Sequence, residues 1–217
     1  MTGSKAAAAA ALAAAAVFLA LAFLAAASPY APGDLAEERW VQSAPWGPLV
    51  YAMELTNWIG GWRQSALALA VIAACLLWSW RAALLVGLGL PANLVSDAVK
   101  DIVQRPRPPA SLVAHREIDS GFSYPSGHAT FYTWLCVLVL VVLWPSLPRR
   151  IRPLAVALAG LVIVVACTGR VWAGAHWPSD VAGGFTLGVF WSWGAWLVWS
   201  RATRSPDRAA TPPARST

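Results

Sequence analysis

The chain has 217 residues, of which 58% are hydrophobic and only 12% charged, with a formal net charge of +6. A soluble domain carries charge on about a quarter of its residues, so this composition excludes an ordinary water-soluble enzyme and predicts an all-α, polytopic membrane protein. Nucleic acid is not the expected partner, because the basic residues lie at the ends of apolar segments and in the C-terminal tail rather than on one aromatic-bearing face.

A helix crossing a bilayer needs about 20 apolar residues. Six segments reach or approach that length, at 6–27, 62–79, 82–103, 128–144, 153–170 and 180–200. The first imitates a cleavable leader, with Lys5 before an alanine-rich run and Ala25-Ala26-Ala27-Ser28 after it. Its apolar run is longer than the about 7–15 residues of a leader core, so a retained anchor is expected. Whether retained or cleaved, the segment directs export of the chain beyond it. Tyr51–Gly60 is too short to span and mixes Met53 and Trp58 with Glu54 and Asn57, which predicts an extracytoplasmic interfacial helix. The third segment carries Asn93, Asp97, Lys100 and Asp101 toward its end, and Trp191, Trp193, Trp196 and Trp199 on the last are expected to face lipid and the interface. Cys75, Cys136 and Cys167 fall in separate apolar segments and read as small buried hydrophobes. Residues 1–203 therefore form one six-helix domain, with 204–217 a disordered, basic, cytoplasmic tail.

Basic loops set the orientation. Arg149, Arg150 and Arg152, between the fourth and fifth segments, and Arg201, Arg204, Arg208 and Arg215, after the sixth, belong inside. The stretch 105–127 and the turn between the fifth and sixth segments then lie outside, so three polar clusters meet on one face.

These clusters are Lys100–Pro108 (KDIVQRPRP), Tyr124–His128 (YPSGH) and Arg170–Asp180 (RVWAGAHWPSD). In the first, Pro106, Pro108 and Pro109 stop the helix and stiffen the chain, so the Lys100 ammonium and an arginine can be held at fixed reach around one phosphate. Arg107 and Arg105 both offer that arginine; snorkelling at the membrane edge is the alternative for all three cations. In the second, Ser126-Gly127-His128 opens a helix whose first amides are free. Gly127 admits close approach, Ser126 adds a hydroxyl, and His128 is placed to donate a proton. A simple capping turn is the alternative. In the third, Pro178 suits the first turn of the last helix, with His176 just before it and Asp180 within it. A carboxylate there can accept from one imidazole nitrogen and leave the other free to attack. Arg170 supplies a further cation, or else a salt bridge to Asp180 that holds two helices together. Asp97, Asp101, His115, Glu117 and Asp119 read as solvated or charge-balancing.

Together, Lys100-x6-Arg107-Pro108, Pro125-Ser126-Gly127-His128 and Arg170-x5-His176-x3-Asp180 resemble the three-part signature of the type 2 phosphatidic acid phosphatase superfamily, over about residues 50–200. The resemblance implies a lipid phosphatase that works without metal or cofactor through a phosphohistidine. It makes His176 the nucleophile, Asp180 its orienting carboxylate and His128 the proton donor, with Lys100, Arg107, Ser126, Gly127 and Arg170 holding the phosphate. It also implies a bacterial inner-membrane enzyme with an extracytoplasmic site. Undecaprenyl diphosphate is the first expected substrate, with phosphatidic acid and phosphatidylglycerol phosphate next; a lipid phosphotransferase and a non-catalytic lipid-phosphate carrier are the competing classes. Gly169 stands where that family usually has Ser, which predicts altered phosphate contacts.

Overall fold

The computed structural model describes residues 2–117 and 119–203. The tail, 204–217, predicted to be disordered and cytoplasmic, lies outside the described residues. Among those residues the chain forms nine helices and no strands: α1 (Thr2–Ala27), α2 (Asp34–Ser43), α3 (Leu49–Trp58), α4 (Trp62–Trp78), α5 (Trp80–Gly87), α6 (Pro91–Val103), α7 (Gly127–Leu143), α8 (Arg152–Trp172) and α9 (Pro178–Ala202).

The outer surfaces of these helices are apolar, with Leu19, Phe23, Leu77, Leu94 and Ile102 all exposed. Four helical stretches are long and apolar enough to cross a membrane: Lys5–Ala27, Trp80–Val103, Arg152–Trp172 and Pro178–Ala202. Leu49–Trp58 and Trp62–Trp78 pass that test only as a pair, and they are bent by 91° to each other. Such a set, with a lipid-like exterior, makes this a multi-pass membrane protein.

The bundle is organised around α9. α1 lies along it, and α7 packs between it and α8, while α3 rests on α8. The close approach of α7 to α9 depends on small residues. A Cβ at Gly188 would stand 2.6 Å from Thr133 Cβ, and one at Gly184 would run into Ser126 O. Also on α7, Phe131, Trp134, Leu135 and Leu138 form the main core with Leu85, Val86 and Ala92.

Two expectations are corrected, and one helix is new. The third predicted segment reappears as the crossing stretch Trp80–Val103 but is broken within it, because α5 ends at Gly87 and α6 begins at Pro91. The Trp134 ring occupies the space a side chain at Gly89 would need, and proline lacks the N–H to continue a helix, so it opens a new one. The tryptophans of α9 are not simply lipid-facing. Trp191 and Trp199 pack against the core and donate to the carbonyls of Leu88 and Arg81, at 2.8 and 2.7 Å. Finally, α2 was unforeseen; it is a polar helix that buries Asp34 and Glu38.

Candidate active site

α6 ends where Gln104 turns left-handed at φ 53°. The chain then runs Arg105-Pro106-Arg107, and the two arginines part company. Arg107 lines a cavity of about 530 Å³ together with Lys100 of α6, Gly127 and His128 of α7, and His176 of the α8–α9 turn. Arg105 is absent from that wall and almost fully buried. Of the two arginines that the RPRP run offered, Arg107 is the one on the cavity wall.

Around the cavity the polar groups are closely placed. Arg107 Nη1 stands 3.1 Å from His176 Nε2 and donates to Ala175 O at 2.7 Å. A guanidinium can only donate, so a hydrogen bond here makes Nε2 the acceptor and places the proton of the neutral imidazole on Nδ1. That nitrogen is buried without a hydrogen-bond partner and points at Asp180 Oδ2, 3.7 Å away. The expected hydrogen bond between His176 and Asp180 is therefore not formed; the two groups face each other 3.7 Å apart. Burial, followed by the positive charges of Arg107, Arg170 and Lys100, holds the His176 imidazole well below its ordinary pKa, so it is neutral.

His128 begins α7, where Ser126 is the N-cap and accepts from Ala129 N at 3.5 Å. Its Nε2 donates to the Asn57 carbonyl, 3.3 Å away on α3. The bend between α3 and α4 presses against this ring, since a Cβ at Gly60 would stand 2.9 Å from His128 Cε1. Lys100 Nζ pairs with Asp97 at 2.8 Å and lies 3.4 Å from where a Cβ at Gly127 would be.

Three predicted residues lie behind the cavity wall rather than on it. Ser126 is fully buried and spends its hydroxyl on capping α7. Arg170, also fully buried, does not bridge to Asp180. It pairs with Glu117 at 2.6 Å and with Asp119, whose carboxylate reaches the cavity and also meets Arg107 at 3.3 Å. Asp180 accepts from Trp177 N at 2.9 Å, in the first turn of α9 as predicted. Its other oxygen faces Arg105, 2.5 Å away. The position of Gly169 also has a local reason. A Cβ there would stand 3.2 Å from Met53 Cβ and 3.3 Å from Asn57 Oδ1, so α3 occupies the room a serine would need.

Asn57 and the Asp34–Arg105 pair went unpredicted. Asn57 donates to Gly169 O and presents its carbonyl to His128. Asp34 binds Arg105 at 2.8 Å. Among the described residues, no group of three or more His, Cys, Asp or Glu side chains is disposed to hold a metal ion.

Residues 78–204, more than half of the chain, match the family model of the PAP2 superfamily. The chain belongs to the PAP2 superfamily. Among its PAP2 relatives, phosphatidylglycerophosphatase B of Escherichia coli strain K12 is 28% identical over 63% of this chain and 64% of the relative. Phosphatidylglycerophosphatase B of Bacillus subtilis strain 168 is 30% identical over 45% of this chain and 47% of the relative. The chain thus spans between about half and two thirds of the length of these curated relatives. The crystal structure of a transmembrane PAP2-type phosphatidylglycerolphosphate phosphatase from Bacillus subtilis has the same fold. It superposes with a TM-score of 0.72 at 23% identity, over 88% of this chain and 98% of that one.

Proposed function

We propose that this PAP2 protein is a lipid phosphatase that hydrolyses the terminal phosphate of phosphatidylglycerol phosphate through a phosphohistidine. One observation carries the chemistry: a neutral imidazole lines a cavity walled by Lys100, Arg107 and the amino end of α7, with Nε2 3.1 Å from Arg107 Nη1, a donor that an incoming phosphate can draw away. The names of the relatives support this substrate over undecaprenyl diphosphate, the first expectation from the sequence.

In this reading the phosphate takes the place of the Asp119 carboxylate between Arg107 and Arg170. His176 Nε2 attacks phosphorus, the P–O bond to the lipid breaks, and His128 gives the leaving oxygen its proton. Asp180 accepts from Nδ1–H and steadies the cation that forms on the ring. His128 then takes a proton from water, whose oxygen attacks phosphorus and releases His176 and inorganic phosphate. Lys100, Arg107 and the α7 amides balance the negative charge of the transition state, the work a metal ion does elsewhere.

The membrane arrangement in this reading has six crossings, α1, α4, α5 with α6, α7, α8 and α9, with α3 lying in the interface. The 91° bend after α3 supports that arrangement. Basic residues at 149, 150 and 152 then face the cytoplasm of a bacterial inner membrane, and the cavity faces outward.

The test is phosphate release in detergent with EDTA present, from phosphatidylglycerol phosphate, phosphatidic acid and undecaprenyl diphosphate. The expected result is fastest release from the first, and a loss of at least about 10³-fold in His176→Ala. Undiminished turnover in that variant overturns the mechanism, and preference for undecaprenyl diphosphate overturns the substrate.

A further inference from the structure

The second arginine of the RPRP run has chemistry of its own. Arg105 is 1% exposed, and its guanidinium is fully engaged. Nη1 meets Asp180 Oδ1 at 2.5 Å and Ser179 Oγ at 2.7 Å, Nη2 meets Asp34 Oδ2 at 2.8 Å, and Nε donates to Pro29 O at 3.1 Å. Asp34 in turn caps α9 from outside it, accepting from Ser179 N at 2.9 Å and from Ser179 Oγ at 2.7 Å. The first turn of α9 is therefore held by two carboxylates, Asp34 from α2 and its own Asp180, with Arg105 clamped between them.

We propose that Arg105 and Asp34 are positioning residues for the nucleophile: Trp177 N–H holds Oδ2 of Asp180, and Arg105 on Oδ1 fixes the plane of the carboxylate so that Oδ2 also stays turned toward His176 Nδ1. Neither residue lines the cavity, so neither touches the substrate. The clamp rests on the reading of His176 as nucleophile, and it gives α2 a part in the reaction although that helix contributes nothing to the wall. Held only by the Trp177 N–H at Oδ2, a carboxylate 3.7 Å from Nδ1 would hold the ring loosely. Pinned through Oδ1, it leaves the ring only one direction in which to place its N–H.

Charge makes the clamp testable. Three carboxylates, Asp34, Glu38 and Asp180, lie buried together, and Arg105 is the cation paired with two of them. Around His176 itself stand Arg107, Arg170 and Lys100, with Asp119 opposing them. Replacing Arg105 with Gln strips Asp34 and Asp180 of the cation they share, so beside the proton already on Glu38 the cluster takes up a second one and releases it only as pH rises. The variant is expected to lose at least about 10²-fold in kcat at pH 7 with KM within threefold of wild type, and to recover part of the loss by pH 9. Adding Asp34→Asn to Arg105→Gln removes one excess acid and should restore kcat at pH 7 by about tenfold, which a simple packing defect would not do. Arg105→Lys keeps the charge without the fork and should fall between. It serves as the folded control if Arg105→Gln does not accumulate.

A readout without substrate separates this proposal from the phosphatase reading. The chain has three histidines, so ¹⁵N-histidine NMR in detergent, assigned with His115→Gln and His128→Gln, reports the His176 tautomer directly. The Nδ1–H form should dominate in wild type and give way to a mixture in Arg105→Lys or Arg105→Gln. If wild type releases no phosphate but the tautomer shifts, the clamp stands and the activity fails. If wild type is active while the variants keep both kcat and tautomer, or lose activity through KM alone, the clamp is wrong.

Discussion

Glu38 offers the sharpest test of the buried acidic cluster. Its side chain lies on α2 with no exposure, and neither carboxylate oxygen has a hydrogen-bond partner. Burial first, and then the charges of Asp180 and Asp34, push its pKa from 4.5 up to about 8. The unfolded chain gives up this proton near pH 4.5, whereas the folded protein keeps it to about pH 8. Between those values the unfolded state binds fewer protons, so stability falls as pH rises. At about 1.4 kcal/mol per pH unit the window sets a ceiling of about 5 kcal/mol, and relaxation with water entry reduces it to the order of 2–4 kcal/mol. Glu38→Gln replaces the neutral acid with a neutral amide of the same shape. Thermal unfolding in detergent should show the wild-type midpoint dropping by about 5 °C or more between pH 5 and pH 8, relative to a flatter variant. His176, held neutral in the fold, contributes in the opposite sense in both proteins and cancels in the comparison. Parallel pH dependences for the two would show that Glu38 is ionised and solvated, and the picture of a neutral buried acid would be wrong.

Restoring serine at Gly169 should cost stability, because its Cβ would press Met53 and Asn57 of α3; we expect about 1–2 kcal/mol and reduced turnover. A variant faster than wild type would contradict the steric account. Arg107→Gln removes the largest charge holding down the His176 pKa, so the acid limb of the kcat/KM profile should move to higher pH as KM rises at least about tenfold. An unmoved limb would mean that the two side chains do not interact in solution. For orientation, cysteines replacing the exposed Ser111 and Ser146 should differ in intact cells: an impermeant thiol reagent should label the first and spare the second. The opposite pattern would reverse the topology.

The predicted residues that line the cavity, Lys100, Arg107, Gly127, His128 and His176, were legible because each sits at or beside a helix end marked by local chemistry, whereas Asp119 on the same wall was read as solvated or charge-balancing. Pro106 and Pro108 bracket Arg107, Pro125-Ser126 precedes Gly127 and His128, and Pro178 stands two residues after His176. Punctuation of this type is read within a few residues. The clamp was not legible for the opposite reason, since Asp34 and Arg105 are 71 positions apart and nothing in either neighbourhood announces the other. α2 was missed because DLAEERWVQS has no apolar periodicity. The available clue was Asp34-x-x-Glu37, a helix-start pattern directly after Gly33. The break between α5 and α6 was written in Gly87, Gly89 and Pro91, but it was outweighed by the hydropathy of the whole stretch.

α7 has only 17 residues, or ~25 Å at 1.5 Å per residue, against a hydrocarbon layer ~30 Å thick. In the proposed orientation, with its carboxyl end at the inner boundary, its amino end stops short of the outer one, and the histidine pocket is a well sunk into the membrane. A lipid phosphate can then be processed near its resting depth, without being lifted toward water. Bilayer thickness thereby becomes a variable of the reaction: in lipids with longer acyl chains the floor of the well drops further from the headgroup plane, and turnover should slow without any change in the protein.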